Sequence, residues 1–111
     1  MRNCLVAISM VALSVFVLQA YAVVDPIKAQ GAVGKNMCFE CHAVANRLSG
    51  PSYREIAQKY KGNSQAMGIL VKRVKAGSSG VWGKGHMPPN KTISNYELKL
   101  ILEWVLAGAP G

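Results

Sequence analysis

The sequence predicts an all-α protein of about four helices around one core. Three stretches carry apolar residues at i, i+3, i+4 and i+7, the period of a helix with one buried face. Asp25-Pro26 reads as a helix start, with an N-cap aspartate before a proline whose fixed backbone suits the first turn. No run of alternating apolar and polar residues marks a strand, and no turn dipeptide marks a β-hairpin.

The chain has 111 residues, enough for one domain. Residues 1–22 are not counted toward it. Arg2 gives a positive start, Leu5 to Leu18 is nearly all apolar, and Ala20-Tyr21-Ala22 suits a small-x-small cleavage site. This is the pattern of a secretory signal peptide cleaved near Ala22 and implies a periplasmic location. The apolar run is short for a membrane span of about 20 residues, so a retained anchor is the lesser alternative. The remaining domain, residues 23–111, loses Cys4 and Arg2 and keeps 12 basic against 5 acidic residues, a net charge of +7. A basic exported chain with no basic-aromatic groove is a poor nucleic-acid binder. Its charge is better suited to an acidic protein face or transient contact with a membrane complex.

Taken in order, the first helix is expected over Ile27 to about Val33, with Gly34 as its stop and Gly31 placed for close approach by another helix. Ser49-Gly50-Pro51-Ser52 is a loop before a second helix, Tyr53 to Tyr60, whose stripe is Tyr53, Ile56, Ala57 and Tyr60. Gly62-Asn63-Ser64 breaks that helix and caps a third with the stripe Met67, Leu70, Val71 and Val74, closed by Gly77. Ser94 and Glu97 are spaced as a capping box for the last helix, where Leu98, Ile101, Leu102 and Val105 face inward and Gly108 is the stop. Residues 77–91, rich in Gly and Pro, form an irregular stretch too long to be a mere connector in so small a domain.

Cys38-Phe39-Glu40-Cys41-His42 is the chemical centre of the sequence. Two cysteines three apart lie on one side of a helical turn, and a histidine directly after them fits covalent attachment of a c-type haem. The thiols of Cys38 and Cys41 suit thioether bonds to the two vinyl groups, and His42 suits the iron. A structural zinc site needs four ligands, and beyond the motif only His86 is on offer. A thioredoxin-like site needs a preceding strand, which the sequence lacks.

The second axial position has Met37, Met67, Met87 and His86 as candidates. Met37 adjoins the attachment motif, and Met67 sits on a helical stripe where methionine is ordinary core filling. Met87 lies in the glycine-rich stretch before two prolines, stiff enough to hold a thioether against the iron, and is the predicted ligand. His86 competes, but adjacent extended residues point in opposite directions.

Cys38-x-x-Cys41-His42, Gly50-Pro51, Gly80-Val81-Trp82-Gly83, Met87-Pro88-Pro89-Asn90 and a final helix with Trp104-Val105-Leu106 together resemble the small bacterial class I c-type cytochromes of the cytochrome c-551/c-552 type. The resemblance implies the cytochrome c fold, with the first and last helices crossing and Gly31 opposite Trp104. It also implies that the Pro51 carbonyl accepts the Nδ1 proton of His42, that Trp82 and Arg73 lie near a haem propionate, and that Asn90 lies near the Met87 sulfur. Lys84-Gly85-His86 departs from the more apolar residues usual before this methionine.

The resulting expectation is a monomeric periplasmic carrier with one haem c, not an enzyme, moving single electrons between larger respiratory or denitrification proteins with acidic docking faces. Ligation by His42 and Met87 fills both axial positions, and the thioether favours Fe(II). No nucleophile with a base and orienting group stands out. The alternatives are a small haem peroxidase or ligand-binding protein with a labile Met87, and a membrane-held subunit of a larger complex.

Overall fold

The structure, a computed structural model, describes residues 23–111; the signal-peptide assignment falls outside these residues. Four helices form the frame: α1 (Pro26–Lys35), α2 (Tyr53–Tyr60), α3 (Ala66–Ala76) and α4 (Asn95–Leu106). A 3₁₀ turn, Cys38–Glu40, follows α1, and two short strands, β1 (Ser78–Ser79) and β2 (His86–Met87), lie between α3 and α4. Among the described residues no helix is long and apolar enough to cross a membrane.

The α1 start is as expected: Asp25 Oδ1 accepts from Ile27 N at 3.0 Å and Lys28 N at 3.2 Å, with proline in the first turn. Its end is not. The helix passes through Gly34 to Lys35, where Asn36 caps it by donating from Nδ2 to the Ala32 carbonyl at 2.8 Å, and Met37 turns left-handed with φ 61°. Each glycine costs helix propensity, but Ala29, Ala32 and Val33 are buried in the core, and that packing outweighs it. Gly31 corrects a second expectation. It is exposed and not kept small by a close neighbour: a Cβ added at Gly31 would find nothing within 4 Å. The small residues α1 presents to the core are the two alanines instead.

The complete capping box lies on α2, where the sequence was not expected to place it. Glu55 N donates to Ser52 Oγ at 3.1 Å, and Ser52 N donates to Glu55 Oε2 at 2.7 Å. At α4 only half of the predicted box forms: Glu97 N donates to Ser94 Oγ, while the Glu97 carboxylate turns away to Lys35 Nζ at 2.8 Å and Asn36 Nδ2 at 3.4 Å. The carboxylate therefore ties α4 to the end of α1. Before α3, Asn63 Oδ1 accepts from Gln65 N at 2.9 Å, and Gly77 closes the helix at φ 78°.

The absence of a hairpin is also corrected. β1 and β2 pair antiparallel, Ser78 opposite Met87 and Ser79 opposite His86. Strands of two residues are too short to leave an alternating pattern in sequence.

α4 is the hub. Leu98, Ile101, Leu102, Trp104 and Val105 are buried on it, and α1, α2 and α3 all pack against it. Trp104 is fully buried and donates from Nε1 to the Pro110 carbonyl at 2.8 Å.

Candidate haem site

The attachment segment is shaped by its backbone. After left-handed Met37, the amides of Cys41 and His42 both donate to the Cys38 carbonyl, at 3.2 and 3.0 Å, which coils the two cysteines into a single turn. Cys41 is exposed, whereas Cys38 is partly buried and burial pushes its thiol pKa up. The chain then loops back on itself. Gly50 N donates to Cys41 O at 2.8 Å, and Tyr53 N donates to Ala43 O at 2.9 Å, so residues 50–53 are laid against His42.

Pro51 O lies 2.7 Å from His42 Nδ1. A carbonyl can only accept, so Nδ1 carries a proton, and in the neutral ring Nε2 is the nitrogen with the lone pair. The imidazole is thus set up as a ligand by a backbone atom. Gly50 is pressed against the ring: a Cβ there would lie 2.6 Å from His42 Cε1. Tyr53 stacks on it, with centroids 5.5 Å apart and planes at 23°.

Met87 is held on the other segment. Its strand pairs with β1, and Gly77 backs onto it so closely that a Cβ would come within 2.7 Å of the Met87 carbonyl oxygen and 3.0 Å of Pro89 N. Within β2, His86 is exposed and Met87 is half-buried, the alternation expected of an extended pair. Beyond it, Asn90 N donates to Val74 O at 2.8 Å, and Asn90 Oδ1 accepts from Thr92 N at 3.2 Å and Ile93 N at 3.1 Å. The Asn90 side-chain oxygen therefore closes the turn into α4.

These segments face one another across a cavity of about 770 Å³. Cys38, Cys41, His42 and Met87 all line it, as do Pro51, Arg73, Trp82 and Asn90, while Leu70, Val74, Ile101, Leu102 and Val105 give it apolar walls. All eight residues singled out in the sequence meet in this one space. Its size lies within the range of about 300–1,000 Å³ usual for ligand pockets. Apolar walls, two thiols and a histidine with a free lone pair fit a haem. Among the described residues no three His, Cys, Asp or Glu side chains come together as a metal cluster.

Arg73, which lines the cavity, also engages Tyr60. Its guanidinium donates to the Tyr60 hydroxyl and lies 5.7 Å over the Tyr60 ring. Trp82 is flanked by Lys59 Nζ at 4.9 Å and Arg47 Cζ at 5.7 Å from its centroid, and Arg47 is bonded to Glu55 at 3.1 Å. Sequence reasoning missed Arg47 and Lys59, which are separated in sequence from Trp82 and from each other. It also missed Tyr53, which periodicity marks only as core, and the packing role of Gly77, which it read as a helix stop.

An all-α frame wrapped around an apolar cavity, with an attachment pair and a proline-tethered histidine on its wall, has the construction of a small class I c-type cytochrome. The chain belongs to the cytochrome c family, whose model, described as Cytochrome c, matches residues 27–108. It is 38% identical over 95 residues to cytochrome c-552 of Nitrosomonas europaea, covering 86% of this chain and 88% of that one. Cytochrome c-551 of Azotobacter vinelandii is 45% identical over 69 residues, covering 62% of this chain and 83% of the relative. The crystal structure of wild-type Nitrosomonas europaea cytochrome c552 superposes with a TM-score of 0.66 at 39% identity, over 69% of this chain and 95% of that one. Membership makes this a small electron-transfer cytochrome with one covalently bound haem c.

Proposed function

We propose that the protein is a periplasmic one-electron carrier in which Cys38 and Cys41 hold the haem and His42 and Met87 are its axial ligands. The observation that carries this reading is that, of the β2 pair His86 and Met87, which both line the same cavity as His42, Met87 is the half-buried member and is held between β1 and Gly77. The bound haem supplies the Fe(III)/Fe(II) couple. Cys38 and Cys41 anchor it, and the Pro51 carbonyl keeps the His42 lone pair aimed into the cavity. Leu70, Ile101, Leu102 and Val105 exclude water from it, and a drier site makes the charge change on the iron depend on fixed protein dipoles. With His42 and Met87 both on the iron, no coordination position would be left open for a substrate, which is the arrangement of a carrier.

In this reading residues 1–22 direct export and are removed, and donor and acceptor are redox proteins with acidic faces that complement the +7 domain. Arg73, Trp82 and Asn90 are assigned to the haem pocket because they line the cavity. An optical spectrum of the holoprotein with redox titration tests the proposal. A low-spin spectrum that does not respond to carbon monoxide or cyanide on mixing is expected. Rapid binding of either would make the protein a ligand-binding haem protein or peroxidase with a labile Met87.

A further inference from the structure

We infer that Tyr53 is the positioning residue that fixes the rotational setting of the His42 imidazole, and that it couples α4 to that ligand. The inference rests on the reading of His42 as an axial ligand.

The torsion that turns a histidine ring is broad and soft. The hydrogen bond from Nδ1 to Pro51 O and the close backbone of Gly50 hold one side of the ring. A second restraint comes from the flat face of Tyr53, stacked on the imidazole at 5.5 Å and 23°. Tyr53 is 4% exposed, and its hydroxyl has no hydrogen-bond partner among the described residues. Since buried hydroxyls normally find partners, its position is not set from that end.

Its ring is held by other rings. Trp104 meets it edge to face at 5.3 Å and 66°, and Phe39 meets it at 6.2 Å and 66°. Both distances are in the favourable range for aromatic pairs, about 4.5–7 Å. Trp104 is in turn fixed by full burial on α4 and by its bond to Pro110 O. On the backbone side, Tyr53 N is tied to Ala43 O, one residue after His42. A line of contact therefore runs from α4 through Trp104 and Tyr53 to His42.

The plane of an axial imidazole governs how unpaired electron density is spread over a ferric haem, so ring rotation is visible in the hyperfine-shifted haem methyl resonances. Proton NMR of the ferric holoprotein tests the assignment in Tyr53→Phe, Tyr53→Leu and Trp104→Phe. Tyr53→Phe keeps the flat face and should keep the wild-type methyl pattern. Tyr53→Leu should shift and redistribute the methyl resonances, and Trp104→Phe should move them in the same sense by less. If Tyr53→Leu does not fold, Tyr53→Met, which also lacks a flat face, is read in its place.

A wild-type pattern in Tyr53→Leu overturns the proposal, as does an equal change in Tyr53→Phe, which would assign the effect to the hydroxyl. A wild-type pattern in Trp104→Phe overturns the coupling to α4. In each variant the sulfur-to-iron charge-transfer band should persist, since Met87 is untouched. Its absence from the wild-type protein would instead defeat the underlying ligand assignment, so the two failures are distinguishable.

Discussion

The carbonyl oxygen of Pro51 lies 2.7 Å from Nδ1 of His42, nine residues earlier in the chain. Because the contact is made by a backbone atom, the identity of the side chain at position 51 should matter less than the room beside it. Pro51→Ala should keep the wild-type haem spectrum. Gly50→Ala should not, because its Cβ would sit 2.6 Å from Cε1. Overpacking of this kind costs about 1–3 kcal/mol. Thermal melts of the two holoproteins check the ordering: Gly50→Ala is expected to melt well below Pro51→Ala, and equal melting would refute it.

Two glycines should respond in opposite directions. Gly77→Ala forces an L side chain into φ 78° and against the Met87 carbonyl, so it should destabilise the protein and weaken the sulfur charge-transfer band. Gly31→Ala meets open space within a helix and should stabilise it by roughly 0.5–1 kcal/mol. Denaturant titration of both variants measures this, with a rise in midpoint expected only for Gly31→Ala.

Acid should loosen the junction of α1 and α4. Hydrogen bonding from Lys35, then from Asn36, holds the Glu97 carboxyl below the usual carboxylate range. A depressed folded pKa means that the unfolded chain takes up a proton first as pH falls. The contribution of Glu97 is therefore fully present above an unfolded carboxylate pKa of about 4.3 and is lost as pH drops through the lower folded value. Glu97→Gln should flatten the fall in stability over that acid window while leaving its shape near neutrality unchanged. An identical acid profile for wild type and variant would contradict this.

The haem should be required for folding. A domain of this size buries little surface by itself, and here Leu70, Ile101, Leu102 and Val105 face the cavity as well as each other. Circular dichroism of the haem-free domain should show no cooperative thermal transition. A sharp transition without haem would show that the helices form their own core.

Most of the frame was legible because it depends on local rules. The apolar stripes of α2, α3 and α4 and the Asp25-Pro26 start were read from spacing and capping chemistry, and α2 keeps its predicted bounds. What was not legible depended on tertiary contact. Gly34 does not end α1, which runs on to Lys35 and is capped by Asn36, and the Glu97 carboxylate bonds Lys35 and Asn36 across the helix pair. The β1–β2 pair is too short to leave a periodic signal. At the site, Cys38, Cys41, His42 and Met87, picked out by spacing and chemistry, line one cavity. Tyr53 and Arg47 were hidden, because stacking and cation contacts across the loops have no signature in one dimension.

The central claim is that Met87 completes the axial pair with His42. Near-infrared and long-wavelength visible absorption of the ferric protein tests it directly through the sulfur-to-iron charge-transfer band, compared among wild type, Met87→Ala and His86→Ala. The band should be present in wild type, lost in Met87→Ala and retained in His86→Ala. Its survival in Met87→Ala would contradict the assignment.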